Sequence, residues 1–253
     1  MLMQTRSRQQ ILTLIAIALT FGSGANDVAS FTRLGGVFTS VMTGNIVLWG
    51  LAVARGSLSL ASHTAVSLAG YIIGVATGTW TAHGFKAADL EKASRAEAGS
   101  AKAGDDQDRD SVLPAHVSWA LAAELILLAG FTVGWEITGA SPTGWAEFCL
   151  LAVLAAAMGV QAAAVREMGL TEVSTTFLTG TLTALVSSLV SPGQDTPHGL
   201  RRFGVLIGLA AGASLCGLLV ATAAAAVPAL PLAALITTIV LASVPLRNDR
   251  DTS

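Results

Sequence analysis

The chain has 253 residues, of which 53% are hydrophobic and 12% are charged, against roughly 25% charged residues in an ordinary soluble domain. This charge is too small to cover the surface of a soluble globule, and a net charge of −2 without a basic stripe argues against a nucleic-acid partner. Long apolar runs instead predict an all-α polytopic membrane protein, whose helices satisfy every backbone polar group and whose first partner is the lipid bilayer.

Eight apolar segments follow one another along the chain, and they differ in length. In chain order they are A (11–29), B (37–53), C (62–83), D (117–135), E (145–165), F (173–190), G (202–226) and H (229–245). Segments A, C, D, E and G approach or exceed the roughly 20 residues that cross a bilayer, and H is apolar enough to cross with flanking residues. Segments B and F are shorter and are interrupted by threonine, serine and glycine. We therefore expect a helical bundle of about six spans with two re-entrant or broken segments.

The charged residues are concentrated in one stretch. Twelve of the 30 charged side chains lie between Phe85 and Pro114, among many alanines and glycines. Such a composition is typical of disorder, so 84–115 is predicted to be a disordered, charged cytoplasmic loop. The other predicted parts are a first repeat half (1–83), a linking span (116–136), a second repeat half (137–246) and a polar tail (247–253).

The chain also repeats itself, most visibly in its glycines and threonines. Segment C carries three glycines at four-residue spacing, and segment G carries three more, each 134 positions later. They are Gly70, Gly74 and Gly78 in C, and Gly204, Gly208 and Gly212 in G. Thr43-Gly44-Asn45 in B precedes Thr179-Gly180-Thr181 in F by 136 positions, and Asp27 precedes Gln161 by 134. The order A-B-C-D is therefore followed by an equivalent E-F-G-H.

The positive charges bear on how the two repeats are oriented. If all eight segments cross the membrane, the repeats are parallel, and lysine plus arginine divide 7 against 7 between its two sides. If B and F dip in and return, the division becomes 12 against 2, as the positive-inside rule expects of a cytoplasmic N-terminus. The second arrangement makes the halves inverted repeats with both termini in the cytoplasm, as in many secondary transporters. Segment B, at 17 residues, is still long enough to cross a thin bilayer.

A family resemblance rests on the two repeated motifs. The string 24–31, GANDVASF, followed by 35–45, GGVFTSVMTGN, resembles the N-terminal signature of the YoaK family, a bacterial integral-membrane family of unknown function. A second signature covers 158–166 and 175–183, with Ala162 where members of the family commonly carry asparagine. The resemblance implies a multi-pass protein of the bacterial cytoplasmic (inner) membrane. It implies no substrate or reaction.

Asp27 is the first candidate functional residue, because it lies near the end of an apolar run beside Asn26. An ionisable group at the centre of a membrane helix costs about 2.5–3.5 kcal/mol on insertion scales, so it is by default a candidate site. Asp27 is therefore predicted to bind a cation or a proton. Two alternatives stay open: Asp27 lies at the membrane interface or caps the turn that leads to segment B, in contact with water, or Arg33 neutralises it in a structural ion pair.

The threonine-glycine motifs predict the rest of a binding site. Broken helices at a repeat interface expose free backbone ends, which bind substrate and coupling ions in inverted-repeat transporters. The predicted substrate-binding residues are Asn26, Asp27, Thr43, Gly44, Asn45, Gln161, Thr179, Gly180 and Thr181. The alternative is that these small polar residues only pack helices closely.

Glu124, eight positions into segment D, is a second candidate for proton or cation coupling, because burial favours the neutral, proton-carrying form of a carboxyl group. A satisfied helix–helix hydrogen bond is the alternative role for this residue. The six glycines of segments C and G are predicted to be helix-packing residues, with C and G packed on each other or across a homodimer.

Motifs typical of enzymes and metal sites do not occur in the sequence. The chain has no HExxH, no CxxC and no phosphate-binding glycine loop, and its histidines, expected at the membrane interface, lack metal-ligand spacing. We therefore expect no enzyme, no cofactor and no metal. The function predicted is a secondary transporter or permease of a small polar solute, coupled to protons or a cation. The alternatives are a channel lined by the two dipping segments and a non-transporting scaffold or accessory subunit.

Overall fold

The computed structural model describes residues 2–98, 115–169, 175–190 and 196–243. The helices are α1 (Leu2–Arg33), α2 (Met42–Arg55), α3 (Leu58–Ala98), α4 (Ala115–Ile137), α5 (Trp145–Glu167), α6 (Thr175–Val190), α7 (Thr196–Thr222) and α8 (Ala229–Ser243), with a 3-10 turn at Ala224–Ala226 before α8. The protein is an all-α polytopic helical bundle, and the predicted fold class is confirmed.

Six stretches of the described residues are long and apolar enough to cross a membrane. They are Arg8–Arg33, Leu58–Ala82, Val117–Ile137, Trp145–Glu167, Arg201–Thr222 and Ala224–Ser243. Helices α2 and α6 have 14 and 16 residues, or roughly 21 and 24 Å at the helical rise, which is less than the roughly 30 Å hydrocarbon core. The expected six spans and two shorter segments therefore match the helix lengths.

Helix α3 is longer than its apolar part. It continues to Ala98, so the prediction of a disordered loop over 84–115 is wrong for 84–98. These residues are rich in alanine, lysine and glutamate, which are strong helix formers and extend the helix beyond its apolar segment. Residues 99–114 lie outside the described part of the chain.

Helices α1 and α5, the first helices of the two repeats, cross at the centre of the bundle. Asn26 contacts Met158, and three residues earlier on α1, Ser23 contacts Gln161, which is three residues later on α5. The contacts therefore advance in opposite directions along the two helices. Because α1 and α5 are equivalent in the repeat, this antiparallel crossing makes the two halves inverted relative to each other.

The helices around the two central helices pack on the central helix of the opposite half. Helix α7 packs on α1 and α3 packs on α5, while α8 packs on α1 and α4 packs on α5. Positions along α1 and α7 advance together, with Ile17 beside Gly208 and Val28 beside Gly217. Each central helix is therefore covered by helices of the opposite half, which joins the halves into one bundle.

The glycine ladders form the closest of these contacts, but their partners differ from those predicted. A Cβ at Gly74 would collide with the carbonyl oxygen of Ala156 on α5, and a Cβ at Gly212 would collide with that of Phe21 on α1. The expectation that the two ladders pack on each other is therefore wrong. Each ladder is covered within one chain, because a face without Cβ atoms lets the central helix approach, so these faces are not left free for a homodimer.

The segment between α1 and α3 enters the bundle and returns. After α1, Gly35 and Gly36 adopt φ of 83° and 73°, left-handed values that favour glycine and turn the chain inward. Asn45, near the start of α2, contacts Ser67, which is about 13 Å along α3 from its first residue. Helix α2 then runs back to the two-residue turn that begins α3. Segment B is therefore re-entrant in shape: a loop leads in and a short helix leads out.

Candidate functional site

A cluster of buried polar side chains lies where α1 and α5 cross. Asn26 and Glu124 are each 1% exposed and Gln161 is 7% exposed. The Ser23 hydroxyl donates to Gln161 Oε1 (3.0 Å), and Gln161 Nε2 donates to the Leu19 carbonyl (3.4 Å). Glu124 reaches the same place from α4. The cluster thus joins both repeats and lies well inside three apolar spans.

These side chains border one narrow cavity between α1, α4, α5 and α8. Its lining consists of Leu19, Gly22, Asn26, Glu124, Leu128, Met158, Gln161, Pro231, Ala234 and Leu235. In this conformation the cavity has no room for a water molecule. A ligand can enter only if the helices around it move apart.

The hydrogen-bonding capacity of the cavity is unevenly used. Asn26 Nδ2 donates to Met158 Sδ (3.4 Å), and the amide nitrogen of Gln161 and the hydroxyl of Ser23 also donate to protein acceptors. By contrast, Asn26 Oδ1 and Glu124 Oε2 are fully buried and have no hydrogen-bond partner among the described residues. A buried acceptor left unpaired costs about 1–3 kcal/mol, so two in one cavity call for an explanation. Glu124 Oε2 therefore does not make the helix–helix hydrogen bond that was the alternative role of this residue.

Asp27, one residue beyond Asn26, faces a different part of the protein. Its Oδ1 accepts the backbone N–H groups of Thr39 (2.9 Å) and Ser40 (2.8 Å), and its Oδ2 accepts the Ser40 hydroxyl. The Thr39 hydroxyl adds a longer bond of 3.3 Å to Oδ1. Both carboxylate oxygens therefore hold the loop that leads into α2, which is the capping role among the alternatives. The alternative ion pair with Arg33 does not form, since the Arg33 guanidinium donates to Val220 and Ser141.

Asn45 holds the same loop from the other side. Its Oδ1 accepts the N–H of Phe38 (2.9 Å), and its Nδ2 donates to the Phe38 carbonyl (2.6 Å) and to the Ser67 hydroxyl (3.1 Å). Non-helical backbone at membrane depth is tolerated only when protein groups satisfy it. Asp27 and Asn45 meet that requirement for the N–H groups of residues 38–40 and for the Phe38 carbonyl.

The other predicted binding residues lie outside the central cavity. Thr43, Thr179 and Gly180 are exposed, and Thr181 is buried. A Cβ at Gly180 would meet nothing within 4 Å. Gly44 packs near Phe38 and does not border the cavity. Of the nine predicted binding residues, the structure brings two to the cavity, Asn26 and Gln161, and Glu124 joins them.

Sequence reasoning missed the supporting side chains Ser23, Ser67 and Met158. Ser23 and Ser67 are polar residues within apolar runs, and the three-residue spacing of Ser23 and Asn26 on one helix face was an available signal. Met158 has no such signal, since a methionine in an apolar segment is ordinarily a packing residue.

The end of the bundle at which α1 finishes is held by polar contacts between helices. Arg33 donates to the Val220 carbonyl (3.2 Å) and to the Ser141 hydroxyl (3.3 Å). His63 Nε2 lies 3.2 Å from Glu147 Oε1, and His63, expected at the interface, is 6% exposed. At this end, Arg33 therefore joins α1 to α7 and to the loop before α5, and His63 of α3 lies close to Glu147 of α5.

Most of the chain is similar in sequence to known proteins. The model of a family described as "Protein of unknown function (DUF1275)" matches residues 15–243. The chain is 29% identical over 182 residues, 72% of its length and 67% of the relative's, to the UPF0700 transmembrane protein YoaK of Bacillus subtilis (strain 168). No solved structure matches. The resemblance carried by the repeated motifs is confirmed, and the chain belongs to the YoaK (DUF1275) family of transmembrane proteins.

Proposed function

We propose that the protein is a secondary transporter, a permease of a small polar solute that is bound in the cavity where α1 and α5 cross. One observation carries the proposal: two fully buried oxygen acceptors, Asn26 Oδ1 and Glu124 Oε2, have no partner among the described residues and border the same cavity. Glu124 is the coupling acid of this proposal, because a carboxyl group inside the membrane is stable only when it carries a proton or is paired with a cation.

The arrangement of the halves supplies the motion that transport needs. Inverted repeats place a site at their interface, and rocking of one half against the other exposes that site to each side in turn. The glycine faces on α3 and α7 meet α5 and α1 backbone to backbone, so few side chains interlock there. In this scheme the conformation described is the occluded one, because the cavity has no room for water.

Two features favour a carrier over the alternatives. A channel lined by the dipping segments would need polar groups of α2 and α6 facing a shared path, whereas Thr43 and Thr179 are exposed and do not border the central cavity. A scaffold has no use for unpaired acceptors in the bundle centre, where apolar residues would be more stable. We place the protein in the bacterial inner membrane with both termini in the cytoplasm, in keeping with the 12 against 2 division of positive charges.

The proposal is tested by measuring whether a reagent dissolved in water can reach the cavity, which does not require the solute to be known. Ala234 borders the cavity, so Ala234→Cys is introduced in a background with Cys149→Ser and Cys216→Ala. A membrane-impermeant thiol reagent is added to one side of oriented vesicles at a time. We expect slow labelling from either side, since a carrier opens to each side alternately.

The neighbouring residue provides a matched control. Ala233 is exposed on the outer face of α8 and lies within an apolar span, so Ala233→Cys should not react with a reagent confined to water. Labelling of Ala234→Cys from neither side would contradict transport and favour a scaffold. Fast labelling from both sides together with a steady conductance would favour a channel.

A further inference from the structure

We infer that the central cavity binds the ammonium group of a small primary amine. The inference rests on the proposed function and narrows it to a class of solute. The two unpaired atoms of the cavity lining, within the described part of the chain, are both acceptors, Asn26 Oδ1 and Glu124 Oε2. The polar nitrogens and the hydroxyl around them already donate to protein groups. With Glu124 ionised, so that both of its oxygens only accept, the missing partner must therefore bring donors.

The same set of polar atoms favours a ligand group that donates hydrogen bonds and accepts none. A polyol or an amide would bring its own lone pairs into a cavity whose donors are engaged, and an anion would face the carboxyl oxygen of Glu124. A primary ammonium group has three N–H donors and no acceptor. Gln161 also borders the cavity, and its Oε1 accepts one bond from the described residues, that of Ser23, so it can accept one more. Three acceptors then match three donors.

The charge and the chemistry of the cavity lining narrow the class of ligand further. No lysine, arginine or histidine of the described ranges borders the cavity, so Glu124 has no cation of its own there, and an ammonium ion would supply one. The remaining walls are largely apolar, including Leu19, Leu128 and Leu235, and suit a short alkyl chain. A bare Ca²⁺ or Mg²⁺ would need about six oxygen ligands, more than the cavity offers. A quaternary ammonium has no N–H donor and is bound through aromatic faces, and no aromatic residue is among those that line the cavity.

The closing experiment measures binding to the purified full chain in detergent, with methylammonium, propylammonium, tetramethylammonium and acetate as probes. We expect methylammonium and propylammonium to bind saturably and to raise the temperature of unfolding, since a ligand specific for the folded state stabilises it. Tetramethylammonium and acetate should do neither. Equal effects of methylammonium and tetramethylammonium, or no saturable binding of either primary amine, would overturn the inference.

Two variants locate the site. Glu124→Gln keeps the shape but removes the carboxyl group, and should weaken primary-amine binding by roughly tenfold to a hundredfold, the difference made by a hydrogen bond to a charged group. Asn26→Leu removes the second acceptor and keeps Glu124, so it tests the site separately if Glu124→Gln does not fold. The matched control is Glu136→Gln, an exposed acid at the end of the same helix, which should leave affinity unchanged. Unchanged affinity in both cavity variants would refute the location.

The outcome also separates this inference from the proposed function. One outcome is that amine binding depends on Glu124 while Ala234→Cys is labelled from neither side of the membrane. This outcome would support the amine site and refute transport. Alternating labelling of Ala234→Cys without amine binding would keep transport and refute the choice of solute.

Discussion

Replacement of Asp27 by asparagine tests whether this acid holds the re-entrant loop or binds a transported ion. The carboxylate accepts two backbone N–H groups of the loop at 2.9 and 2.8 Å and two hydroxyl groups. Asparagine keeps one acceptor oxygen for the N–H groups of Thr39 and Ser40, but these bonds lose their charge assistance. A hydrogen bond to a charged group contributes about 1.5–3 kcal/mol and a neutral one about 0.5–1.5.

Two such bonds weakened by about 1 kcal/mol each make Asp27→Asn less stable by about 2 kcal/mol. Asp27→Ala leaves both N–H groups buried without a partner and should cost more, up to roughly 6 kcal/mol at 1–3 for each donor. The free energy of unfolding in mixed detergent measures both values. Hydrogen exchange at residues 38–40 should rise in the same order, because the loop is the part released.

Transport distinguishes this role from ion coupling. If Asp27 only holds the loop, the Asp27→Asn variant should retain most of the solute transport of the unmodified protein in proteoliposomes. The Glu124→Gln variant should lose this transport. Loss of flux in Asp27→Asn with unchanged stability and unchanged exchange at 38–40 would refute the reasoning. It would instead restore Asp27 to the ion-binding role that its sequence position predicts.

Three further predictions concern the framework. Gly74→Leu drives a side chain into the α5 backbone and should lower the free energy of unfolding by about 1–3 kcal/mol or more. Gly50 has open space around it, so the control variant Gly50→Leu should fold normally. Equal temperatures of unfolding for the two variants would contradict the packing of Gly74 on α5. Asn45→Ala removes the hydrogen bonds to Phe38 and Ser67 and should cost about 2–4 kcal/mol, read as faster exchange in the loop alone; a purely global loss of protection would argue against a local role. Single cysteines at Arg55 and Lys102 should react with an impermeant reagent from opposite sides of the membrane, and labelling from one side would overturn the inverted arrangement.

The architecture was largely predictable because it depends on segment lengths and repeat offsets, which can be measured along the sequence. Apolar length decides which segments cross, and a fixed offset reveals a repeat. The partners of the glycine ladders were not predictable in the same way. A face without side chains indicates that another backbone comes close, but nothing in it identifies which helix; Gly74 and Gly212 find α5 and α1 only through the crossing of the halves.

The site was predicted in part, and the reason is helix geometry. Asn26 and Asp27 are adjacent in sequence, so both were assigned to one pocket. Successive residues on a helix point about 100° apart, at 3.6 residues per turn. Asn26 therefore faces the central cavity and Asp27 faces the loop before α2. The sequence shows that a polar pair lies in a membrane helix, but the direction of each side chain depends on which neighbours surround α1.

The two halves share a plan but not the same chemistry at equivalent positions. Asp27 fastens the first re-entrant loop to α1, whereas its repeat partner Gln161 uses its amide on Ser23 and Leu19 of the opposite half. A symmetric protein would hold its two ends closed with equal free energy. Here a charged residue holds one loop and a neutral one binds across the centre, so we expect opening at the two ends to differ in free energy. Exchanging the pair, with Asp27→Gln and Gln161→Asp together, should change which side of the membrane labels Ala234→Cys faster.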